Sequence, residues 1–459
     1  MKKLFGTDGM RGEAGSFPLD AATIETVGAS LARRLTEKLG RTPLIVIGRD
    51  TRESGGWLEH ALVAGLARAG ANSKAAGVIT TPGVAFLART LPADAGVVIS
   101  ASHNAYRDNG IKIFAPSGRK LDEETERLIE SDVFAEPSEL ENTDRLFRAD
   151  GTEVGEAADL QSRYANFLAN EIGRDLSLRG ISLVLDCANG AASKLAPELF
   201  ERLGATVTTI NNKPDGRNIN LGCGSLHTEV LQAEVIKQRA NLGVAFDGDA
   251  DRALFVDANG ILVNGDGSLW VLARYLHARH ELSKDTVVAT VMSNMGLEVA
   301  FRSLAIRLVR TDVGDKYVLE ELLRLGASLG GEQSGHIIFP GISLAGDGLI
   351  TALNLLRTMT EAGKGLHELT ERFQTFPQIL VNVEVKVKRP FSEVAAIQKI
   401  ARDVESGLGA DGRLLLRYSG TEPLARIMIE GKSQGEIEKY AAALADVIIQ
   451  TLGVRSMNP

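Results

Sequence analysis

Apolar runs of strand length alternate along most of the chain with segments in which apolar residues recur at helical spacing. The pattern starts with an apolar run at 44–48, a helical segment at 56–68 and a further apolar run at 77–79. The order strand, helix, strand recurs over 181–210 and again over 287–308. Because such alternation is typical of sheets covered by helices, three successive and related α/β domains are expected.

The C-terminal part of the chain has a different pattern. From Val381 to Val387, valines alternate with polar residues, which predicts a strand with one buried face. A helix is expected over 392–406, a strand on each side of 417–421, and a closing helix over 434–452. This order predicts a smaller α+β domain of the type βαββα.

The chain length supports this division. At 459 residues, the chain is longer than one hydrophobic core usually serves, since domains of about 150 residues are common. We place the boundaries near Thr152, near Asp257 and just after Glu371. The predicted domains are therefore residues 1–152, 153–256, 257–371 and 372–459.

Composition narrows the class of protein. A hydrophobic content of 44% with 24% charged residues is ordinary for a globular enzyme, and the net charge of -8 argues against nucleic acid as a partner. The two cysteines, Cys187 and Cys223, form no disulfide framework and fit a reducing compartment. No apolar stretch resembles a signal peptide or a membrane span, so we expect a soluble cytoplasmic protein without a membrane partner.

Ser102 is the first candidate for chemistry. It follows the apolar run 96–100 and lies in a polar loop, where a hydroxyl can act as a nucleophile or carry a phosphate. The flanking Ser100 and Asn104 are not the glycines of a serine-hydrolase elbow. A hydroxyl that only caps a turn is the alternative, and it is the more common role of a lone serine.

Three aspartates alternate with small residues between two apolar runs. If the backbone is extended there, the side chains of Asp247, Asp249 and Asp251 point the same way and repel one another unless a cation neutralises them. An all-oxygen ligand set suits Mg²⁺ better than zinc. The alternative is an acidic hairpin tip, for which Asp-Gly is a common turn.

Two further segments have the composition of ligand-binding loops. Arg417, Ser419, Gly420, Thr421 and Arg426 combine hydroxyls, backbone donors and two guanidinium groups, as a phosphate dianion requires. An ordinary polar turn with solvated arginines is the alternative.

The second segment is bounded by glycines. Glu332, Ser334 and His336 offer a carboxylate, a hydroxyl and an imidazole, which can bind the hydroxyls of a sugar. A polar turn with a surface histidine is the alternative. Cations also lie beside other polar loops, where they are ordinarily solvated: Arg11, Arg49, Arg52 and Lys112.

Taken together, these segments resemble the α-D-phosphohexomutase superfamily over nearly the whole chain. The matching segments, in order, are FGTDGMRG at 5–12, GRDTR at 48–52, TTPG at 80–83, SASHN at 100–104, DNGIK at 108–112, DGDADR at 247–252, GEQSGH at 331–336 and RYSGTEP at 417–423. FGTDGMRG and GEQSGH are similar to the bacterial amino-sugar branch in particular.

The resemblance implies a fold and a reaction. The fold would be four domains around a central cleft, carrying in turn the phosphoserine loop, the metal loop, the sugar loop and a phosphate-binding loop. Ser102 would donate a phosphoryl group to the C1 hydroxyl of glucosamine 6-phosphate. The 1,6-bisphosphate would then reorient and return its 6-phosphate to Ser102. The product, glucosamine 1-phosphate, would supply UDP-N-acetylglucosamine for cell-wall precursors.

The resemblance also implies roles for the individual residues. The catalytic residues would be Ser102, Arg11, Lys112 and Arg252, with Lys112 a candidate to handle the hydroxyl proton. One Mg²⁺ per chain would be held by Ser102, Asp247, Asp249 and Asp251. The sugar phosphate would be bound by Glu332, Ser334, His336, Arg417, Ser419, Gly420, Thr421 and Arg426. Glucosamine or glucose 1,6-bisphosphate is the expected activator, and a homodimer is the expected assembly.

One position departs from the family pattern, and rival functions remain. Ala105 stands where the family commonly has proline, so the loop after Ser102 is expected to be slightly more mobile. A phosphoglucomutase or phosphomannomutase of the same superfamily is the nearest rival. A non-catalytic sugar-phosphate binding protein and a hydrolase are the others.

Overall fold

The computed structural model describes residues 4–6, 8–135, 154–419 and 423–453. The chain divides into two compact units, the first formed by Met1–Met292 with Leu308–Thr370 and the second by Ser293–Arg307 with Glu371–Pro459. Three mixed sheets belong to the first unit, except for Arg307, the first residue of a strand in the third sheet, which is assigned to the second unit. A fourth sheet belongs to the second unit.

The first sheet has the order β1-β2-β6-β5-β3-β4. Its strands are β1 (Phe5–Gly6), β2 (Gly9–Glu13), β3 (Leu44–Arg49), β4 (Asn72–Val78), β5 (Ala95–Ile99) and β6 (Asp108–Phe114). The helices of this region are α1 (Ala21–Leu39), α2 (Gly55–Arg68), α3 (Thr81–Thr90) and α4 (Glu123–Ala135). Because β6 lies between β2 and β5, Arg11 pairs with Gly110 and Lys112 with Val98. The sheet therefore brings Arg11, Lys112 and the segment after β5 together.

The second sheet has the order β11-β10-β9-β7-β8. It consists of β7 (Ser182–Asp186), β8 (Thr206–Ile210), β9 (Leu242–Phe246), β10 (Ala253–Asp257) and β11 (Leu262–Val263). Helices α6 (Ala192–Arg202) and α7 (Glu229–Gln238) accompany this sheet, whereas α5 (Val154–Phe167), which precedes it in the chain, contacts β4 of the first sheet. Strands β9 and β10 are buried and pair antiparallel from Phe246 opposite Ala253. The aspartates between them thus occupy a loop that a rigid hairpin holds in place.

The third sheet has the order β13-β12-β14-β15. It consists of β12 (Thr286–Thr290), β13 (Arg307–Thr311), β14 (Leu329–Gly331) and β15 (Ile337–Ile338). The helices of this region are α8 (Gly265–Ala278), α9 (Met295–Arg302), α10 (Asp315–Leu325), α11 (Gly348–Ala362) and α12 (Leu366–Thr370). Gly331 pairs with Ile337 in an antiparallel hairpin, so residues 332–336 form its connecting loop.

The C-terminal sheet is antiparallel with the order β16-β18-β17. It contains β16 (Gln378–Glu384), β17 (Arg413–Tyr418) and β18 (Leu424–Glu430), with helices α13 (Ala395–Leu408) and α14 (Gln434–Leu452). The predicted order βαββα is confirmed. Val383 and Val385 are buried as predicted, but Val387 is 60% exposed because β16 ends at Glu384. The prediction for Val387 is therefore wrong.

The predicted fold class is confirmed, with three mixed α/β sheets followed by a small sheet with helices. The closing helix and the strand Thr206–Ile210 have the predicted bounds. The predicted helix start at Ser392 is wrong by three residues, because a short 3₁₀ turn, Phe391–Glu393, precedes α13. Within the described ranges, no helix combines the length and apolar character needed to cross a membrane.

Helices α1 and α2 approach each other through two glycines. A Cβ atom on Gly65 would lie 1.9 Å from the carbonyl oxygen of Glu25, and one on Gly28 would lie 2.4 Å from that of Leu62. Both contacts are with backbone, which cannot move away as a flexible side chain can. The close crossing therefore requires glycine at both positions, and it packs α1 onto the core beside the first sheet.

Replacement of Gly65 by alanine tests this crossing. Gly65→Ala forces the helices apart and is expected to lower the free energy of unfolding by about 1–3 kcal/mol. Gly56→Ala is the matched control, because no atom lies within 4 Å of a Cβ at that position of the same helix. Urea unfolding of the two variants gives the comparison, and equal stabilities would contradict the argument.

The start of α11 contains a buried carboxylate. Asp347 caps the helix by accepting hydrogen bonds from the N–H groups of Leu349 and Ile350, at 2.9 and 3.0 Å. Its second oxygen accepts a hydrogen bond of 2.6 Å from the hydroxyl of buried Tyr164, which joins α5 to α11. Burial raises the pKa of Asp347 to about 6, although these hydrogen bonds oppose the shift.

This shift predicts a pH dependence of stability. In the unfolded chain the aspartate has its ordinary pKa of 3.8, so the folded state binds the Asp347 proton more tightly. The stability that this group contributes is therefore lost as the pH rises from 3.8 through about 6. Asp347→Asn cannot ionise and should lack this loss, which is about 3 kcal/mol for a shift of this size.

Urea unfolding of wild type and Asp347→Asn at about pH 4.5 and about pH 7.5 makes the comparison. The variant should lose less stability between the two pH values than the wild type. Parallel losses would show that Asp347 does not titrate in this range.

Candidate active site

Ser102 lies three residues beyond β5 and is fully buried. Its backbone is left-handed, with φ 52°. The hydroxyl donates a hydrogen bond of 2.6 Å to Oδ2 of Asp247, 145 positions further along the chain. The structure therefore brings the predicted phosphate carrier into contact with the predicted metal loop.

The three aspartates of the metal loop form a buried cluster. Asp247, Asp249 and Asp251 each offer an oxygen atom, and these atoms lie within 4.8 Å of one another. The assumption of an extended backbone is wrong, since the N–H of Ala250 donates to the carbonyl of Asp247 at 3.1 Å and Ala250 has φ 54°. The carboxylates converge because the loop turns, so the predicted cluster forms by a different local geometry.

The cluster has the properties of a divalent-cation site. Oδ1 of Asp249 and Oδ1 of Asp251 are buried and accept no hydrogen bond from the described residues. Burial, together with the charges of Asp251 and Asp249, raises the pKa of Asp247 well above its ordinary value. A hard cation would satisfy both oxygens and relieve this repulsion, so the residues present fit Mg²⁺.

Lys112 partly neutralises the cluster. Its buried ammonium lies 2.9 Å from Oδ2 of Asp249, 3.5 Å from Oδ2 of Asp251 and 3.4 Å from Oδ2 of Asp8. Burial disfavours the charge, but the three carboxylates outweigh it and raise the pKa of Lys112 well above the ordinary value. Lys112 is thus held as a cation, an arrangement that favours charge neutralisation over proton acceptance.

The two predicted catalytic arginines face one cavity. Arg11, Arg252 and His103 line a cavity of about 480 Å³ next to Ser102. Arg11 forms an ion pair with Asp8. Burial disfavours the charge of Arg252, but nearby carboxylates outweigh it and raise the pKa of this guanidinium. Two guanidinium groups beside the Ser102 loop suit a phosphoryl group.

His103 is the nearest imidazole to the serine hydroxyl. Its Nδ1 lies 3.4 Å from Oγ of Ser102. Burial, together with Arg252 and Arg11, lowers the pKa of His103 to about 4. The imidazole is therefore neutral at pH 7.

The GEQSGH loop reaches the aspartate cluster. His336 is 4% exposed, which makes the surface-histidine alternative wrong, and its Nδ1 lies 3.7 Å from Oδ1 of Asp251. Burial opposes its charge, but Asp251 and Asp315 raise the pKa of His336 to about 9. Glu332 accepts a hydrogen bond of 3.1 Å from the N–H of Gly314. The hydroxyl oxygen of Ser334 is buried and has no hydrogen-bond partner in the described ranges.

The RYSGTEP loop belongs to the second unit. Arg417 and Arg426 are paired across β17 and β18, and Nη2 of Arg426 lies 3.4 Å from the buried Oγ of Ser419. Nζ of Lys388 donates to the carbonyl of Ser419 at 2.6 Å, a contact that the sequence analysis missed. Gly420 and Thr421 lie outside the described residues. In the described part of the loop, the side chains of Arg426 and Lys388 therefore both contact Ser419.

Sequence reasoning also missed an ion-pair chain beside the cluster. Nζ of Lys120 lies 2.9 Å from Oδ1 of Asp8 and 2.8 Å from Oδ1 of Asp315. Asp8 was inside a recognised motif, whereas neither Lys120 nor Asp315 has a local sequence signal. These three residues, with Lys112 and His336, line a cavity of about 580 Å³.

Comparison with known proteins gives the class of this chain. Four domain descriptions of the phosphoglucomutase/phosphomannomutase family match in order: alpha/beta/alpha domain I at residues 2–139, domain II at 162–260, domain III at 264–376 and the C-terminal domain at 380–447. The chain belongs to this family, and it is therefore a mutase, an enzyme of the isomerase class. The family uses a metal ion, which the aspartate cluster could bind.

Curated relatives narrow the assignment. A phosphoglucosamine mutase of Solibacter usitatus (strain Ellin6076) is 49% identical, covering 98% of this chain and 99% of its own. A phosphoglucosamine mutase of Syntrophus aciditrophicus (strain SB) is 46% identical, covering 99% of this chain and 100% of its own. Identity at this level over the full length favours phosphoglucosamine mutase activity over the phosphoglucomutase or phosphomannomutase alternative.

Solved structures share the fold. A phosphoglucomutase/phosphomannomutase family protein from Burkholderia thailandensis has a TM-score of 0.78 at 23% identity, covering 98% of each chain. An Aspergillus fumigatus N-acetylphosphoglucosamine mutase, solved with GlcNAc-6P and magnesium, has a TM-score of 0.64 at 19% identity, covering 97% of this chain and 95% of its own. At these identities the likeness concerns the fold.

Thr81 gives a test of the metal site. Its N–H donates to the carbonyl of Asp249 at 3.0 Å, and its hydroxyl donates to Oδ2 of the same residue at 2.5 Å, which leaves Oδ1 for a cation. Thr81→Val keeps the shape but loses the hydroxyl, so affinity for a divalent cation should fall by about 10–100-fold. Titration with Mn²⁺, followed by electron paramagnetic resonance, measures this directly.

Thr81→Ser is the matched control, because it keeps the hydroxyl and should bind Mn²⁺ nearly as the wild type does. Equal Mn²⁺ affinities for the valine and serine variants would show that the hydroxyl does not orient Asp249.

Proposed function

We propose that the chain interconverts glucosamine 6-phosphate and glucosamine 1-phosphate by moving a phosphoryl group through Ser102. The observation that carries this proposal is the hydrogen bond of 2.6 Å from Ser102 to Asp247. Asp247 lies in a loop with two buried carboxylate oxygens that accept no hydrogen bond from the described residues. The identity of 49% to a phosphoglucosamine mutase over the full chain supports the amino-sugar substrate.

In this proposal, Asp247, Asp249, Asp251 and an oxygen of phosphorylated Ser102 hold one Mg²⁺ per chain. Bound there, Mg²⁺ supplies positive charge that offsets the phosphoryl oxygens. The orphaned oxygens of Asp249 and Asp251 support this ligand set, as does magnesium in the Aspergillus fumigatus relative.

The reaction then has two phosphoryl transfers. In the first, the bond from phosphorus to Oγ of Ser102 breaks and a bond from phosphorus to the C1 oxygen of the sugar forms, while the proton of the C1 hydroxyl is transferred, in net terms, to Oγ, which becomes a hydroxyl again. The 1,6-bisphosphate reorients, and its 6-phosphoryl group returns to Oγ. Because phosphoryl transfer depends on positioning and charge, Arg11, Arg252 and Lys112 act by neutralising the phosphoryl oxygens.

Other residues bind the parts of the sugar phosphate that do not react. Glu332, Ser334 and His336 bind the sugar hydroxyls, a role supported by the unpartnered hydroxyl of Ser334. The distal phosphate is bound by Arg417, Ser419, Gly420, Thr421 and Arg426. The contact of Lys388 with Ser419 adds a further positive charge to that loop.

A 1,6-bisphosphate of glucosamine or glucose acts as the activator in this scheme. Loss of the bisphosphate before its second transfer leaves Ser102 without phosphate, and fresh bisphosphate restores it. A complex of an Aspergillus fumigatus N-acetylphosphoglucosamine mutase variant with glucose 1,6-bisphosphate supports this choice; that protein is 19% identical, with a TM-score of 0.64.

The proposal predicts both a substrate preference and a modified residue. In coupled assays, kcat/KM for glucosamine 6-phosphate should exceed that for glucose and mannose phosphates. Ser102→Ala should abolish isomerisation, because no other group takes the phosphoryl. Peptide mass spectrometry should place the phosphoryl group on Ser102 of the wild-type protein.

Ser392→Ala, at an exposed serine, is the control and should keep full activity. Higher kcat/KM for glucose or mannose phosphates would overturn the substrate assignment. Release of free phosphate without isomerisation would indicate a hydrolase, and binding without turnover would indicate a non-catalytic sugar-phosphate binding protein.

A further inference from the structure

The backbone of Ser102 is held in an unfavourable conformation. Its left-handed φ of 52° is rare for residues other than glycine, asparagine and aspartate. The N–H of Ser102 donates to Oγ of Ser100 at 3.0 Å, and that oxygen donates in turn to Oδ2 of Asp50 at 2.6 Å. The conformation thus depends on contacts from outside the loop.

Arg52 supplies one set of these contacts. Its guanidinium is 1% exposed, and its Nη2 donates to the carbonyls of Ser102 at 3.1 Å and Asn104 at 2.9 Å. Its Nη1 donates to the carbonyl of Ala105, and its Nε donates to Asp50 at 2.9 Å. The buried Asp50 fixes the plane of the guanidinium, so its donors are aimed at three carbonyl groups of the loop backbone.

Asn220 supplies a second set from the loop between β8 and α7. Its Nδ2 donates to the same two carbonyls, those of Ser102 at 2.8 Å and Asn104 at 3.0 Å. The residue is itself left-handed, with φ 57°, and its N–H donates to the carbonyl of Ala188 at 2.9 Å. Asparagine tolerates this conformation, so the amide can be presented without a large backbone cost.

We propose that Asn220 and Arg52 are positioning residues for phosphoryl transfer. By holding the carbonyls of Ser102 and Asn104 from two sides, they keep Oγ of Ser102 beside Asp247 while the phosphoryl group leaves and returns. The inference rests on the proposed function of Ser102. It assigns a role to the GRDTR segment and to a residue outside every recognised motif.

The same contacts bear on Ala105. Proline, common in the family at this position, would restrict the backbone after the phosphate carrier. In this chain Arg52 binds the carbonyl of Ala105 directly. A hydrogen bond therefore supplies a constraint on the loop that does not depend on a proline ring.

Asn220→Gly is the central test, because glycine accepts the left-handed backbone and only the amide is lost. We expect kcat to fall at least about tenfold, while KM for glucosamine 6-phosphate stays within about twofold, since the substrate contacts are untouched. Hydrogen–deuterium exchange of the peptide covering residues 100–108 should become faster. Arg239→Gly, at an exposed residue with φ 52°, is the matched control and should change neither quantity.

Two conservative variants complete the test. Asn220→Asp keeps the size and the backbone preference but replaces the donor by an acceptor, so it should lose kcat as Asn220→Gly does. Arg52→Lys keeps the charge but cannot reach three carbonyls and Asp50 together, so it should accelerate exchange in the same peptide. If Arg52→Lys fails to fold, the kcat and the loop exchange of the Asn220 variants alone test the proposal.

Wild-type kcat in Asn220→Gly would overturn the inference. A lower kcat of Asn220→Gly with unchanged hydrogen–deuterium exchange of residues 100–108 would also overturn it. The same holds if the global stability of the variant falls as much as its kcat does. The exchange measurement does not depend on the substrate, so the inference can fail while the mutase activity stands. Conversely, an inactive wild type with faster loop exchange in the variant would refute the proposed function alone.

Discussion

The active site is built around buried negative charge. Asp247, Asp249 and Asp251 have oxygen atoms within 4.8 Å of one another and are at most 5% exposed, and each additional unpaired carboxylate in such a place is costly. Lys112 on strand β6 offsets part of this charge, and a cation could offset more at the oxygens of Asp249 and Asp251 that accept no hydrogen bond from the described residues. Because repulsion between the three carboxylates favours opening of the cluster, the pairing of β9 with β10 and of β6 with its neighbouring strands has to hold the carboxylates together.

Each of the three sheets of the first unit brings one part to this cluster. The first sheet positions Ser102 in the segment after β5 and Lys112 on the adjacent strand β6, the second holds the aspartates in a hairpin loop, and the third presents His336 close to Asp251. Ser102 and Asp247 are therefore far apart in sequence but are joined by a hydrogen bond in the fold.

Much of this arrangement could be predicted from sequence, because strand ends and loop composition are local properties. Ser102 at the end of β5, the aspartate cluster and the strands around 417–421 are examples. The turn at Ala250 was missed, since alternation alone does not distinguish an extended segment from a turn. Thr81, Lys120 and Asn220 were missed because their partners lie far away along the chain, where only the fold brings them together. The proposed domain boundaries and the homodimer stay predictions.

The contacts of Thr81 and Asn220 run in opposite directions between the first two sheets. Thr81, next to the first sheet, steadies an aspartate of the second, and Asn220, next to the second, steadies the serine loop of the first. Each region therefore depends on a side chain of the other region to position its own part of the site. Exchange of one region alone between related proteins would preserve both contacts only where the incoming region carries the matching residues, so the two regions are expected to evolve together despite their separate hydrophobic cores.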